Sequence, residues 1–247
     1  EHVKMLGLIE VAGRECIDVK VIPDLLQFIA LGSKLEDLDG IPIININDVP
    51  LQGFNSALKH ISDVAISSAI ILILAIPFAI IAALIKMTSS GPVFYRQERM
   101  GLDGRRFLVY KFRSMFEDAE KETGPVWATD NDPRRTSIGK LLRRSNFDEF
   151  PQLWNVIRGE MSLVGPRPER PMFVKELSSI IPFYETRHVV KPGLTGWAQV
   201  NTSYGSSYAD SLEKLQYDLY YIKHRSVYLD ISIVLKTLST IIFYRGQ

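Results

Sequence analysis

The longest apolar stretch of the chain, Val64 to Ile85, contains no charged residue and is bounded by Asp63 and Lys86. A helix of that length reaches about 33 Å, one hydrocarbon thickness. So long an apolar run is uncommon in a soluble core, so it reads as a membrane segment. Pro77 lies well inside it. A proline there removes a backbone donor and clashes with the carbonyl of Ile73, which predicts a kink or a break. Both flanks are basic: Lys59 and His60 precede the stretch, and Lys86, Arg96, Arg99, Arg105 and Arg106 follow it. Charge asymmetry therefore assigns no orientation. A helix that enters, breaks at Pro77 and returns would keep both flanks on one side of the membrane; a simple span is the competing arrangement. The second apolar stretch, Ser226 to Tyr244, is interrupted by Ser232, Thr237, Ser239 and Thr240 and carries two charges, Asp230 and Lys236. That pattern predicts either a core helix or one lying in the membrane interface.

The remaining sequence is patterned differently. Cys16-Ile17-Asp18-Val19-Lys20-Val21-Ile22 alternates and is β-branched, predicting a strand. Pro23 opens a helical run, Asp24–Leu31, that Gly32 ends, and Ile41-Pro42-Ile43-Ile44-Asn45-Ile46 is a second strand. This β-α-β order predicts the end of an α/β domain. The chain opens on Glu1 rather than Met and is expected to be a fragment with more protein upstream. Residues 90–225 are polar, Arg-rich and punctuated by Pro and Gly, which predicts many short elements.

Composition narrows the chemistry. With 29 Lys+Arg against 28 Asp+Glu the net charge is +1, so no global basicity argues for nucleic acid. Anion binding would rest on local clusters. The single cysteine, Cys16, excludes an internal disulfide framework and a multi-cysteine zinc site. A P-loop, a Gly-x-Gly-x-x-Gly fingerprint and a Gly-x-Ser-x-Gly elbow are all missing, and the four histidines lack ligand spacing.

The informative segment is Arg143-Arg144-Ser145-Asn146-Phe147-Asp148-Glu149-Phe150-Pro151-Gln152-Leu153-Trp154-Asn155. Pro151 suits a first helical turn, so a helix is predicted over Gln152–Ile157. Asp148 and Glu149 then sit where the helix dipole favours carboxylates. Adjacent side chains project about 100° apart on a helix, so the two suit different roles. On these residues alone, capping by Asp148 is the simpler reading. Cations cluster nearby in sequence at Lys111 and Arg113, Arg134-Arg135, Lys140 and Arg143-Arg144. Gly165-Pro166-Arg167-Pro168 presents an arginine from a loop with few conformations, suited to bidentate phosphate binding. Each cation alone could be a solvated surface charge; together they suggest a polyanionic substrate. Pro192-Gly193-Leu194-Thr195-Gly196-Trp197-Ala198-Gln199 reads as a tight turn that holds a base or merely packs. Asp130-Asn131-Asp132, followed by Pro133, reads as a turn with side-chain hydrogen bonds rather than a metal motif.

Five segments resemble one family, in its order: Gly91-Pro92-Val93-Phe94-Tyr95-Arg96-Gln97, Lys111-Phe112-Arg113-Ser114-Met115, Asp148 to Val156, Met161-Ser162-Leu163-Val164-Gly165-Pro166-Arg167-Pro168, and Lys191 to Val200. These resemble the bacterial polyprenyl-phosphate sugar-1-phosphate transferases, the monotopic phosphoglycosyl transferases. The resemblance implies an α+β, mostly helical, monotopic membrane catalytic domain over residues 58–247. Residues 64–85 would be its re-entrant helix, broken at Pro77, and 226–244 an interfacial helix. Residues 1–57 resemble the end of the Rossmann-like domain found in larger members. The implied reaction has two steps, in which Asp148 takes the sugar phosphate from a UDP-sugar, UDP-glucose or UDP-galactose, with loss of UMP, and undecaprenyl phosphate then takes it from Asp148. It opens exopolysaccharide, capsule or O-antigen synthesis. Glu149 would assist; Arg143, Arg167, Lys111 and Arg113 would contact phosphate; Gln152 and Gln199 would contact other parts of the substrate. Magnesium is the implied cofactor, with Asp148 as a ligand. The partners implied are the UDP-sugar, undecaprenyl phosphate and the bilayer, with room for a homodimer and no nucleic acid. The implied location is the bacterial cytoplasmic membrane, catalytic domain inward. Two departures concern the membrane segment: Ile76 stands where serine often precedes the break proline, and Lys59-His60 where Lys-Arg is frequent. Two other readings are a glycosyltransferase using Asp130 and Asp132, which would release UDP, and a membrane scaffold without catalysis.

Overall fold

A computed structural model describes residues 34–38, 41–45, 54–117, 119, 132–202 and 207–243. The strand expected at Cys16–Ile22, the helix expected at Asp24–Leu31, and Asp130 lie outside the described residues. The chain divides into two compact units, Glu1–Asn47 and Asp48–Gln247. In the first, β1 (Lys34–Leu38) pairs antiparallel with β2 (Ile41–Asn45) in register Lys34↔Asn45 to Leu38↔Ile41. The strand at Ile41 is thus observed. Its partner was not foreseen, although Asp39-Gly40 between them is a strong two-residue hairpin signal. A parallel β-α-β pairing is not seen among the described residues.

The second unit is mostly helical with short strands, an α+β arrangement. Its apolar stretch forms α1 (Phe54–Ile73) and α2 (Ala75–Thr88), so the helix starts earlier than Val64. The two are separated at Leu74. The cause is Pro77, whose missing N–H leaves the Ile73 carbonyl without its helical donor; the ladder resumes with Phe78 N donating to Leu74 O at 2.8 Å. The ends of this segment are docked and its middle is bare. Near the start, Lys59 and Asp63 are buried, and Ser162 Oγ donates to Asp63 Oδ2 at 2.6 Å. Near the end, Ile85 is completely buried against Phe112 and Leu142, with Phe78, Ile81, Val93, Ile138 and Phe147 around them. Between them Leu72, Ile73 and Ile76 are 76%, 76% and 74% exposed.

β3 (Phe94–Met100) and β4 (Arg106–Phe112) form an antiparallel hairpin in register Phe94↔Phe112 to Met100↔Arg106. The open edge of β4 is covered by a side chain: Asn155 Oδ1 accepts from Tyr110 N at 3.1 Å, and its Nδ2 donates to Leu108 O at 2.7 Å. One buried amide thereby satisfies a donor and an acceptor that a missing neighbouring strand would otherwise take. Next come α3 (Ser137–Arg144), capped by the Thr136 hydroxyl on Gly139 N, a 3-10 turn Phe147–Gln152, and α4 (Leu153–Ile157). Gly139 is required, because a Cβ there would lie 1.9 Å from Ser114 O.

Two three-residue strands, β5 (Ser162–Val164) and β6 (Gly193–Thr195), pair in parallel. Their loops cross backbone to backbone, and a Cβ on Gly193 would lie 2.1 Å from Gly165 N. Between them run α5 (Pro171–Ile180) and a 3-10 turn Tyr184–Val189. After β6 follow α6 (Trp197–Asn201), α7 (Tyr208–His224) with a Ser207/Asp210 capping box, and α8 (Val227–Phe243). α8 is not a core helix. Ile233 is buried, but Val227, Tyr228, Ile231, Leu235 and Leu238 are exposed.

Candidate active site

Asp148 and Glu149 lie in the first turn of the 3-10 segment Phe147–Gln152, which follows Asn146 in the left-handed region at φ 55°. This turn packs against β4, whose end carries Lys111. The simple capping reading of Asp148 is not realised: Asn146 occupies the cap position, and the Asp148 side chain is buried. The helix expected from Gln152 begins at Leu153, with Pro151 still inside the 3-10 turn.

Glu149 is held from two directions. Lys111 Nζ lies 2.6 Å from its Oε1. Arg167 forks both oxygens, Nη2 to Oε1 at 2.6 Å and Nη1 to Oε2 at 3.1 Å. Lys111 and Arg167, expected on phosphate, are therefore placed on Glu149. Lys111 and Arg167, 38 and 18 residues from Glu149 in sequence, come together with the adjacent pair Asp148-Glu149 as one cluster. Arg143 joins it electrostatically, its Nε donating to Ser114 Oγ at 3.0 Å.

Arg113 is differently placed. It is buried and donates from Nη2 to Ser89 O at 2.9 Å and Ser89 Oγ at 2.8 Å, tying the hairpin end to the end of α2. Its Nε and Nη1 find no hydrogen-bond partner. Gln152 is buried at the end of the 3-10 turn. Gln199 donates from Nε2 to Leu194 O at 3.3 Å, and its buried Oε1 has no hydrogen-bond partner. Gln199 abuts the Gly165 region, since a Cβ on Gly196 would meet both Gly165 O and Gln199 Oε1. Asp132 is engaged elsewhere: its Oδ1 accepts from Arg134 N at 3.0 Å and Nε at 2.8 Å, and its Oδ2 from Nη2 at 2.6 Å. These hydrogen bonds hold its carboxyl at about 2.

The paired carboxylates titrate in opposite directions. Burial pushes Asp148 above the usual aspartate range, and the Glu149 charge adds to that, against Lys111, Arg143 and Arg167. Burial also pushes Glu149 up, but Arg167 and Lys111 outweigh it and hold Glu149 well below the ordinary value. Two carboxyl groups whose surroundings drive their pKa values apart take different roles. Three cations surround two carboxylates, leaving a positive excess that suits a phosphate substrate.

Sequence reasoning missed two arginines that shape the site from behind. Arg99 Nη1 donates to Pro168 O at 3.0 Å and Arg187 Nη2 to Arg167 O at 3.0 Å. In the sequence Arg99 is one of several flanking charges, and nothing local marks Arg187.

Among the described residues, no group of three or more His, Cys, Asp or Glu side chains could hold a metal ion. With Glu149 occupied by cations, Asp148 is the carboxylate of the cluster that would hold a magnesium ion were one bound. One carboxylate completed by substrate phosphates and water is an ordinary environment for that ion.

A family profile described as "Bacterial sugar transferase" matches residues 54–244. The chain belongs to the bacterial sugar transferases. It is 43% identical over 223 residues, 89% of its length, to the UDP-glucose:undecaprenyl-phosphate glucose-1-phosphate transferase of Escherichia coli (strain K12), of which it covers 47%. It is 40% identical over 241 residues, 96% of its length, to the enzyme of the same name from Xanthomonas campestris pv. campestris, of which it covers 49%. It is also 48% identical over 161 residues, 65% of its length and 38% of the relative's, to the UDP-N-acetylgalactosamine-undecaprenyl-phosphate N-acetylgalactosaminephosphotransferase of Aeromonas hydrophila. The chain thus spans about half the length of the first two relatives.

Proposed function

We propose that this chain is the catalytic part of a phosphotransferase that moves a hexose 1-phosphate from a UDP-hexose to undecaprenyl phosphate, releasing UMP. The observation that carries this reading is the buried Asp148 beside a Glu149 whose oxygens are both taken by Lys111 and Arg167. Tying up Glu149 leaves Asp148 as the more basic carboxylate, and basicity favours nucleophilic attack.

In the first step an Asp148 oxygen bonds to the sugar-linked phosphorus, the bond to the bridging oxygen breaks, and UMP departs with that oxygen. In the second an oxygen of undecaprenyl phosphate bonds to the same phosphorus and the aspartyl bond breaks, restoring the carboxylate. Arg143, whose charge acts against the burial of the Asp148 carboxylate, would contact a phosphate held at Asp148. Lys111 and Arg167 keep Glu149 ionised, so that its charge sustains the basicity of Asp148. In this reading Arg113 is a further phosphate contact, and Gln152 and Gln199 contact other parts of the substrate. Bound magnesium, held by Asp148 and phosphate oxygens, would neutralise phosphate charge.

The apolar segment is read as re-entrant. Both of its ends dock on the same catalytic unit, near Ser162 and near Phe112 and Leu142, while its apex is bare. Such an apex fits hydrocarbon, and the exposed apolar residues of α8 fit the interface. The segment also reaches the site, since Phe78 meets Phe112 edge-on at 5.4 Å and Phe150 at 6.4 Å. In this reading the reaction takes place at the cytoplasmic face of the bacterial membrane, where UDP-sugar and membrane-bound acceptor meet. A role as an early membrane step of exopolysaccharide synthesis follows from the same reading. Glucose is the first sugar to test, then galactose.

The direct experiment incubates detergent-solubilised protein with a panel of UDP-sugars, undecaprenyl phosphate and magnesium. UMP is the expected nucleotide product. Release of UDP instead would overturn the proposal in favour of ordinary glycosyl transfer.

A further inference from the structure

The loop that presents Arg167 is gripped from behind by buried charge. Arg187, in the 3-10 turn Tyr184–Val189, has a side chain only 6% exposed; Asp218, on α7, is 2% exposed, and the two lie 2.8 Å apart as an ion pair. The same guanidinium donates from Nη1 to the Tyr184 hydroxyl at 2.6 Å and from Nη2 to the backbone carbonyl of Arg167 at 3.0 Å. On the other side of the loop, Arg99 Nη1 donates to Pro168 O at 3.0 Å, and Met100 N to Glu169 O at 2.9 Å. Arg167 in turn forks Glu149.

Burying an ion pair is a weak source of stability, because desolvation offsets most of its attraction and an apolar pair of similar volume often does as well. A planar guanidinium does supply something an apolar pair cannot: fixed directions of donation from one rigid group. Here its hydrogen bonds reach a phenol and one particular backbone carbonyl, the one belonging to Arg167, while the Asp218 carboxylate beside Nη2 supplies the counter-charge. We propose that Arg187, held by Asp218, is a positioning residue that sets the Arg167 fork on Glu149. This rests on the proposed phosphotransfer reaction. Its consequence is that Arg187 acts on turnover only through Arg167.

The test is a set of UMP-release kinetics on the full chain in detergent, with melting temperature measured in parallel. The main variant, Arg187→Met/Asp218→Leu, removes both charges together and so leaves no lone buried ion. It is expected to fold, to keep KM for the UDP-sugar within about threefold, and to lose about tenfold in kcat, the order of loss that follows when one bond of the Arg167 fork is given up. Added to Arg167→Ala, the same pair of substitutions is expected to cost less than about twofold, because residues acting as one unit are non-additive. Arg187→Lys keeps a cation on Asp218 but loses the fork; it is expected to recover part of the kcat lost by the main variant, and its residual defect also vanishes in the Arg167→Ala background. If the main variant does not fold, Arg187→Lys in the two backgrounds decides by the same criterion. Equal losses with and without Arg167, or a folded variant with wild-type kcat, overturn the inference while leaving the reaction intact. Wild-type protein that releases no UMP overturns the reaction itself.

Discussion

Arg167→Lys preserves charge and removes geometry. In the structure Arg167 makes two bonds to Glu149, at 2.6 and 3.1 Å, while Lys111 supplies a third at 2.6 Å to Oε1. A lysine at 167 offers a single cationic centre, so at best one of the two bonds survives. A hydrogen bond to a charged group contributes about 1.5–3 kcal/mol. The Arg167 side chain is 32% exposed, so solvent screening places the loss toward the lower end, about 1.5 kcal/mol. If that loss is felt in the transition state, kcat/KM falls about tenfold. UMP release under saturating lipid acceptor reads it directly. A stability signature should accompany it. Because Arg167 and Lys111 hold Glu149 below its unfolded pKa, their contribution is present above the ordinary glutamate value and is lost as pH falls toward the depressed one. The variant's melting-temperature deficit should therefore be full at neutral pH and narrow below about pH 4. A kcat/KM within twofold of wild type, or a deficit that grows on acidification, would refute the reasoning.

Two further outcomes are expected. Asp148→Asn should abolish UMP release yet leave the melting temperature at neutral pH unchanged or higher, because burial already disfavours the Asp148 charge in the folded state; near-normal turnover would remove Asp148 as nucleophile, and a large loss of stability would contradict its electrostatics. In a Cys16→Ser background, Asn55→Cys and Thr88→Cys should both stay protected from an impermeant maleimide in sealed spheroplasts and react once the membrane is opened, whereas labelling of one site from outside would mean that the segment spans.

What could be read from the sequence followed from local pattern. The charge-free run from Val64 to Ile85 marked the paired helices, and Pro77 marked the break within one turn of its observed place at Leu74. Asp148-Glu149 was visible as a pair because both carboxylates sit at the start of a helical segment. The way they are held was not visible. Lys111 and Arg167 reach Glu149 across sequence separations of 38 and 18, and no periodicity encodes such contacts. The strands Ser162–Val164 and Gly193–Thr195 are too short for any alternation to show. Asn155 reads as one more polar residue of a short helix until its amide is seen covering β4. Ion pairs such as Arg187–Asp218 join elements far apart in the chain and leave no mark near either residue.

The central claim is that the sugar phosphate rests on Asp148 between two transfers. Wild-type protein given UDP-glucose and magnesium, without lipid acceptor, should release UMP in an amount matching the active enzyme. Rapid acid quenching and peptide mass spectrometry should then find a hexose-phosphate adduct on the peptide containing Asp148. A hexose phosphate mapped to any other residue, or UDP as the released nucleotide, would contradict the account.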